Sequence, residues 1–140
     1  MKRMIHVFLM TLFVGIVSCS NPDHATGGAP QQNVINNIIS VDEFAAKLAS
    51  SKEAQLVDVR TEEEYAEGHL SKSQNINIRS ADFDGKIGKL DKAKPVFVYC
   101  RSGGRSSSAA EKLAELGFTE IYNLDGGITK WESAGKSVEK

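Results

Sequence analysis

The residues with most capacity for chemistry lie together in Cys100-Arg101-Ser102-Gly103-Gly104-Arg105, between the apolar run Pro95-Val96-Phe97-Val98-Tyr99 and the stretch Ser106-Ser107-Ser108-Ala109-Ala110. This order reads as a β-strand, a tight loop and a helix start. N–H groups in the first turn of a helix lack partners and carry partial positive charge, so an anion placed against them is stabilised. A cysteine at that point is biased toward its thiolate. The two glycines let the chain curl with N–H groups inward, and Arg101 and Arg105 add formal positive charge on either side. A strand-end cysteine can also be a small buried hydrophobe, but that role needs neither the arginines nor the glycines. Cys100 is therefore read as a nucleophile, with Arg101, Ser102, Gly103, Gly104 and Arg105 as the cradle for its bound substrate.

The elements that must position this loop alternate regularly. Asn37-Ile38-Ile39 reads as a short strand, and Ser40-Val41-Asp42-Glu43 as a capping box ahead of Phe44 and Leu48 at helical spacing. Gln55 to Val59 is an apolar strand; Thr61-Glu62-Glu63-Glu64 repeats the box before a helix broken at Gly68. Ser73 to Ile78 reads as a third strand, and Ala81 to Leu90, interrupted by Gly85 and Gly88, as a short helix or turns. After Pro95 to Tyr99, a helix is expected from Ser106 to Leu116, ending at Gly117. Glu120 to Leu124 is the fifth strand and Ile128 to Ala134 the last helix. Short apolar strands separated by helices imply an α/β fold with a parallel sheet covered on both faces, whose ligands bind at the carboxyl ends of the strands. Cys100 stands at such an end.

The loop Cys100-Arg101-Ser102-Gly103-Gly104-Arg105 resembles the active-site loop of single-domain sulfurtransferases of the rhodanese family. Other stretches resemble that family in the expected order: Leu56-Val57-Asp58-Val59-Arg60; Glu67-Gly68-His69-Leu70 with Asn75-Ile76; and Leu124-Asp125-Gly126-Gly127 through Trp131, Ala134 and Gly135. Together they span nearly everything from Asn37 onward. The resemblance implies a single rhodanese-like domain with a five-stranded parallel sheet, and thiosulfate sulfurtransferase activity through a persulfide on Cys100, without cofactor or metal. Partners implied are a small sulfur donor and a cyanide or thiol acceptor, a thioredoxin-like protein among the candidates. By the same resemblance Arg101 steers an anionic donor, Arg105 braces the loop through a carboxylate, and Asp58 and Arg60 form a supporting network. Ser71-Lys72-Ser73 and Gly135-Lys136-Ser137-Val138 depart from the family pattern, which bears on the pocket rim.

Two other readings use the same residues. A cysteine phosphatase or arsenate reductase of the Cys-x5-Arg kind needs arginine at position 106, where Ser106 stands. A tethered module could receive a persulfide or dock a partner without turnover, since fold alone does not imply activity. His69 is read as structural, Trp131 and Tyr122 as core, and Glu62-Glu63-Glu64 as a solvated helix start.

At 140 residues and a net charge of −1, the chain suits one modest domain, and its balanced charge gives no electrostatic reason to propose nucleic acid. Met1-Lys2-Arg3 precedes an apolar run from Ile5 to Val17, the layout of a secretory signal and too short to span a bilayer comfortably. Ile16-Val17-Ser18-Cys19 resembles the bacterial lipoprotein box. The expected organisation is a signal over residues 1–18, a lipidated Cys19 with a polar tether over 19–36, and the domain over 37–140. The protein would then be exported and lipid-anchored to a bacterial membrane, with the domain in the periplasm or otherwise outside the cytoplasmic membrane. With Cys19 lipidated, Cys100 is the sole thiol, so no internal disulfide can form. His24, on the tether, has no ligand partners in sequence and is read as solvated.

Overall fold

The computed structural model describes residues 34–140; the apolar run of residues 5–17, Cys19, His24 and nearly all of the expected tether lie outside the described residues. Strands and helices alternate as β1 (Ile35–Ile39), α1 (Val41–Ser50), β2 (Gln55–Asp58), α2 (Glu62–Glu67), β3 (Gln74–Asn75), α3 (Phe83–Ile87), β4 (Val96–Tyr99), α4 (Gly104–Glu115), β5 (Glu120–Leu124) and α5 (Gly127–Ser133). The five strands form one parallel sheet in the order β1-β5-β4-β2-β3. The expected α/β architecture holds.

All of β4 is buried, and its side chains alternate between two apolar layers. Val96 and Val98 pack with Phe83 and Ile87 of α3 and with Ala109, Ala110 and Leu113 of α4. Phe97 and Tyr99 enter the opposite layer, with Phe44 of α1 and Ile128 of α5, where the Phe44 and Phe97 rings meet edge to face at 5.2 Å. Cys100 continues the alternation onto the α3/α4 side. The central strand thus delivers the cysteine from a site packed on both faces.

Ser40 caps α1 by accepting the Glu43 N–H at 3.3 Å, and Thr61 and Glu64 complete a reciprocal capping box at α2. Gly117, at φ +89°, follows α4 as expected, with its N–H bonded to the Ala114 carbonyl.

The larger departures from expectation fall in four elements. β1 starts at Ile35, whose N–H donates to the Thr119 carbonyl at 2.8 Å, so strand pairing takes in Ile35 and Asn36. The third strand shrinks to Gln74–Asn75 because Ser73 turns toward the Tyr99 hydroxyl (3.0 Å) and the Asn75 amide takes the Arg60 carbonyl (3.0 Å). The ambiguous glycine-broken segment forms the five-residue helix α3 around buried Phe83 and Ile87. α4 begins at Gly104, two residues before Ser106, so the loop after Cys100 is tighter than its glycines suggest.

Candidate active site

Cys100 leaves β4 with 1% of its surface exposed. The Gly103 N–H donates to Sγ at 3.1 Å, and the Ser106 hydroxyl lies 3.5 Å from Sγ. That hydroxyl has one proton and a second acceptor, the Gly103 carbonyl at 3.0 Å, so ionisation of the thiol is what draws it to sulfur. Burial is the largest influence on Cys100 and opposes ionisation. The Ser106 hydroxyl and the N–H groups of Ser106, Gly103 and Ser102 together outweigh it, and the thiol pKa lies below its ordinary value.

Only one of the two loop glycines is conformationally required. Gly103 adopts φ +107°, the left-handed turn that aims its N–H at sulfur. Gly104 is already the first residue of α4, and a Cβ built there meets nothing within 4 Å, which corrects its assignment as part of the curl. A second glycine pair supports the loop from β5. Gly127 sits at φ +59°, and a Cβ on it would fall 2.3 Å from the Cys100 carbonyl oxygen. This close approach lets the Ile128 and Thr129 N–H groups donate to the carbonyls of Cys100 (2.9 Å) and Arg101 (3.2 Å). With those carbonyls satisfied by α5, the loop amides are left to face the sulfur.

Arg105 forms a two-pronged ion pair with Glu64, Nη1 to Oε2 at 2.6 Å and Nη2 to Oε1 at 2.8 Å. Glu64 Oε2 also accepts the Thr61 N–H at 3.2 Å, so one carboxylate both caps α2 and holds α4. Arg105 is the chief cause of a Glu64 pKa of about 2. The expected carboxylate brace is therefore present, whereas the reading of Glu62-Glu63-Glu64 as wholly solvated is corrected at Glu64. The capping pattern marks Glu64 locally; its contact 41 positions along the chain is a product of the fold.

Asp58 and Arg60 are buried together, with Arg60 Nη2 2.7 Å from Asp58 Oδ2 and 2.6 Å from the Gly68 carbonyl. Neither side chain bonds to Cys100 or to the loop that follows it. Arg101 is exposed and has no side-chain hydrogen bond or ion pair among the described residues, while Ser102 is exposed and contributes through its backbone. Arg101 opens onto a cleft of about 420 Å³ that also takes in Arg60, Glu64, Glu67, Thr129 and Glu132.

Sequence reasoning missed Ser106, noted only for not being arginine, and the chain behind it. Buried Asn123 donates through Nδ2 to the Ser107 hydroxyl at 3.0 Å, and Ser107 donates to the Gly103 carbonyl at 3.0 Å. The site thus rests on β5 as well as on β4. His69 is structural as expected, stacked on Tyr65 at 3.8 Å with Nδ1 3.1 Å from the Tyr65 carbonyl. Trp131 packs edge-on against Phe44, and Tyr122 lies against Phe97.

The family profile described as Rhodanese-like domain matches residues 40–134. The thiosulfate sulfurtransferase GlpE of Shewanella oneidensis is 35% identical over 97 residues, covering 69% of this chain and 92% of its own. The protein YqhL of Bacillus subtilis is 37% identical over 100 residues, covering 71% and 75% respectively. Among solved structures, a rhodanese-related protein from Thermoplasma volcanium superposes with a TM-score of 0.65 at 30% identity, covering 74% of this chain and 97% of its own. A cysteine ending the central strand of such a sheet, within a match that spans both glycine pairs, makes this chain a member of the rhodanese-like domain family.

Proposed function

We propose that the chain is a thiosulfate sulfurtransferase that works by covalent ping-pong catalysis. The observation that carries this reading is the Cys100 sulfur held by the Gly103 N–H at 3.1 Å and the Ser106 hydroxyl at 3.5 Å, with its thiol pKa lowered. The Cys100 thiolate attacks the outer sulfur of thiosulfate. The new Sγ–S bond forms as the S–S bond of thiosulfate breaks, and sulfite leaves with that electron pair. The persulfide anion is stabilised by the loop amides. A thiolate or cyanide then attacks the outer sulfur, the Sγ–S bond breaks, and the Cys100 thiolate is restored. No external oxidant or reductant is needed.

Two features speak against oxyanion hydrolysis of the phosphatase kind. Position 106 is serine, and Arg105 is committed to Glu64 through both of its terminal nitrogens. Export and lipidation of Cys19, with the domain outside the cytoplasmic membrane and within reach of a thioredoxin-like acceptor, complete the proposal. They rest on the sequence of residues 1–19.

The test is intact mass of the purified chain after exposure to thiosulfate. Wild type gains one sulfur that cyanide or a thiol removes, and Cys100→Ser gains none; a chain that stays unmodified with both thiosulfate and polysulfide overturns the catalytic reading. For the anchor, Cys19→Ser should move the protein from the membrane fraction to the soluble one on cell fractionation. Retention in the membrane counts against lipidation.

A further inference from the structure

The cleft beside the loop carries more charge than the two-step reaction uses, and only part of it is neutralised internally. Arg60 is paired with buried Asp58, and Glu64 with Arg105. Three charged groups of the lining remain without an ion-pair partner among the described residues: Arg101, Glu67 and Glu132. They come from three elements, namely the catalytic loop, the last residue of α2 and the body of α5. A dianion such as thiosulfate therefore meets one free cation and two free carboxylates. A small molecule bearing both an ammonium and a carboxylate meets a partner for each.

We propose that Glu67 and Glu132, which line the same cleft as Arg101, are specificity-determining residues that select an ammonium-bearing thiol as the acceptor of the Cys100 sulfur. The inference rests on the sulfurtransferase reading and names the class of its second substrate. In the step concerned, the acceptor thiolate attacks the outer sulfur of the Cys100 persulfide. One S–S bond forms, the Sγ–S bond breaks, and the products are the acceptor persulfide and the Cys100 thiolate, with charge and sulfur oxidation state conserved overall. The carboxylates act on the acceptor's ammonium and take no part in bond exchange. Because Arg101, Glu67 and Glu132 are all exposed, neutralising any of them removes charge without opening the core.

The experiment loads Cys100 of the full chain in detergent with sulfur from thiosulfate or polysulfide, removes the excess, and follows single-turnover discharge by three thiols of similar size. These are cysteamine, a cation; 2-mercaptoethanol, neutral; and mercaptoacetate, an anion. Intrinsic thiol reactivity differs among them, but it cancels when each ratio of rates is compared between wild type and variant. Exposed charge pairs are worth little individually, so Glu67→Gln and Glu132→Gln should each lower the cysteamine to mercaptoacetate ratio about two- to fivefold. Arg101→Gln should raise that ratio by a similar factor, and added salt should compress all three effects. A ratio unchanged in both glutamate variants, or moved the other way, overturns this inference while leaving sulfur transfer intact. Failure of wild type to load from any donor removes the reaction itself, and this inference with it.

Discussion

Ser106 acts on sulfur through a single proton shared between two acceptors, and its effect on Cys100 should be separable from its place in the fold. Replacing it by alanine leaves the buried helix face intact but removes the hydroxyl that offsets the burial of the thiol. The Cys100 pKa should rise in Ser106→Ala, and alkylation by iodoacetamide near neutral pH should slow about tenfold, recovering as pH is raised. A rate lowered equally at every pH would instead indicate that the loop has moved. The Asn123-Ser107-Gly103 chain lies one step further back. Asn123→Ala should lower the rate of persulfide formation with a smaller change in thiol pKa, measured by the same alkylation profile.

At the scale of elements, three helix ends converge on one loop. The N-cap and first turn of α4 supply N–H groups to sulfur, α5 supplies N–H groups to the loop carbonyls, and α2 supplies the carboxylate that holds Arg105. Gly127 is where α5 comes closest, so Gly127→Ala should be severe. Its left-handed backbone and the 2.3 Å approach to the Cys100 carbonyl both disfavour a Cβ, with a loss of about 3 kcal/mol or more on denaturant unfolding and loss of sulfur loading. Gly104→Ala offers the contrast, since the site is open and helical. Stability should rise by about 0.5 kcal/mol through helix propensity.

For the whole molecule, the Glu64–Arg105 pair ties the start of α2 to α4 and should make stability depend on acidity. Glu64 has a folded-state pKa of about 2 against 4.5 for an unperturbed carboxyl, so the unfolded state takes up protons first as pH falls. The contribution, on the order of 2 kcal/mol, is fully present above about pH 4.5 and is lost as pH falls toward 2. Urea unfolding of wild type and Glu64→Gln should therefore differ by this amount at pH 6 and converge near pH 2. A constant difference across that range would mean that the ion pair is not its source.

Much of this arrangement was legible in the chain itself. Alternation of strands and helices, the end of the central strand at Cys100 and the cap at Thr61 are local properties, written in apolar periodicity, turn residues and short-range hydrogen bonds. The resemblance of the loop pointed to sulfur chemistry before any contact was known. What only the tertiary structure decided were relations between distant residues: Glu64 with Arg105, Gly127 against the Cys100 carbonyl, Asn123 behind Ser107, and Arg101 in one cleft with Glu67 and Glu132. No local pattern encodes these, because a carboxylate in a first helical turn looks the same in sequence whether it faces water or an arginine on another helix. Even the glycines divided along this line. Gly103 and Gly104 are equivalent as letters, and only the placement of α4 shows that the first must turn left-handed while the second opens the helix.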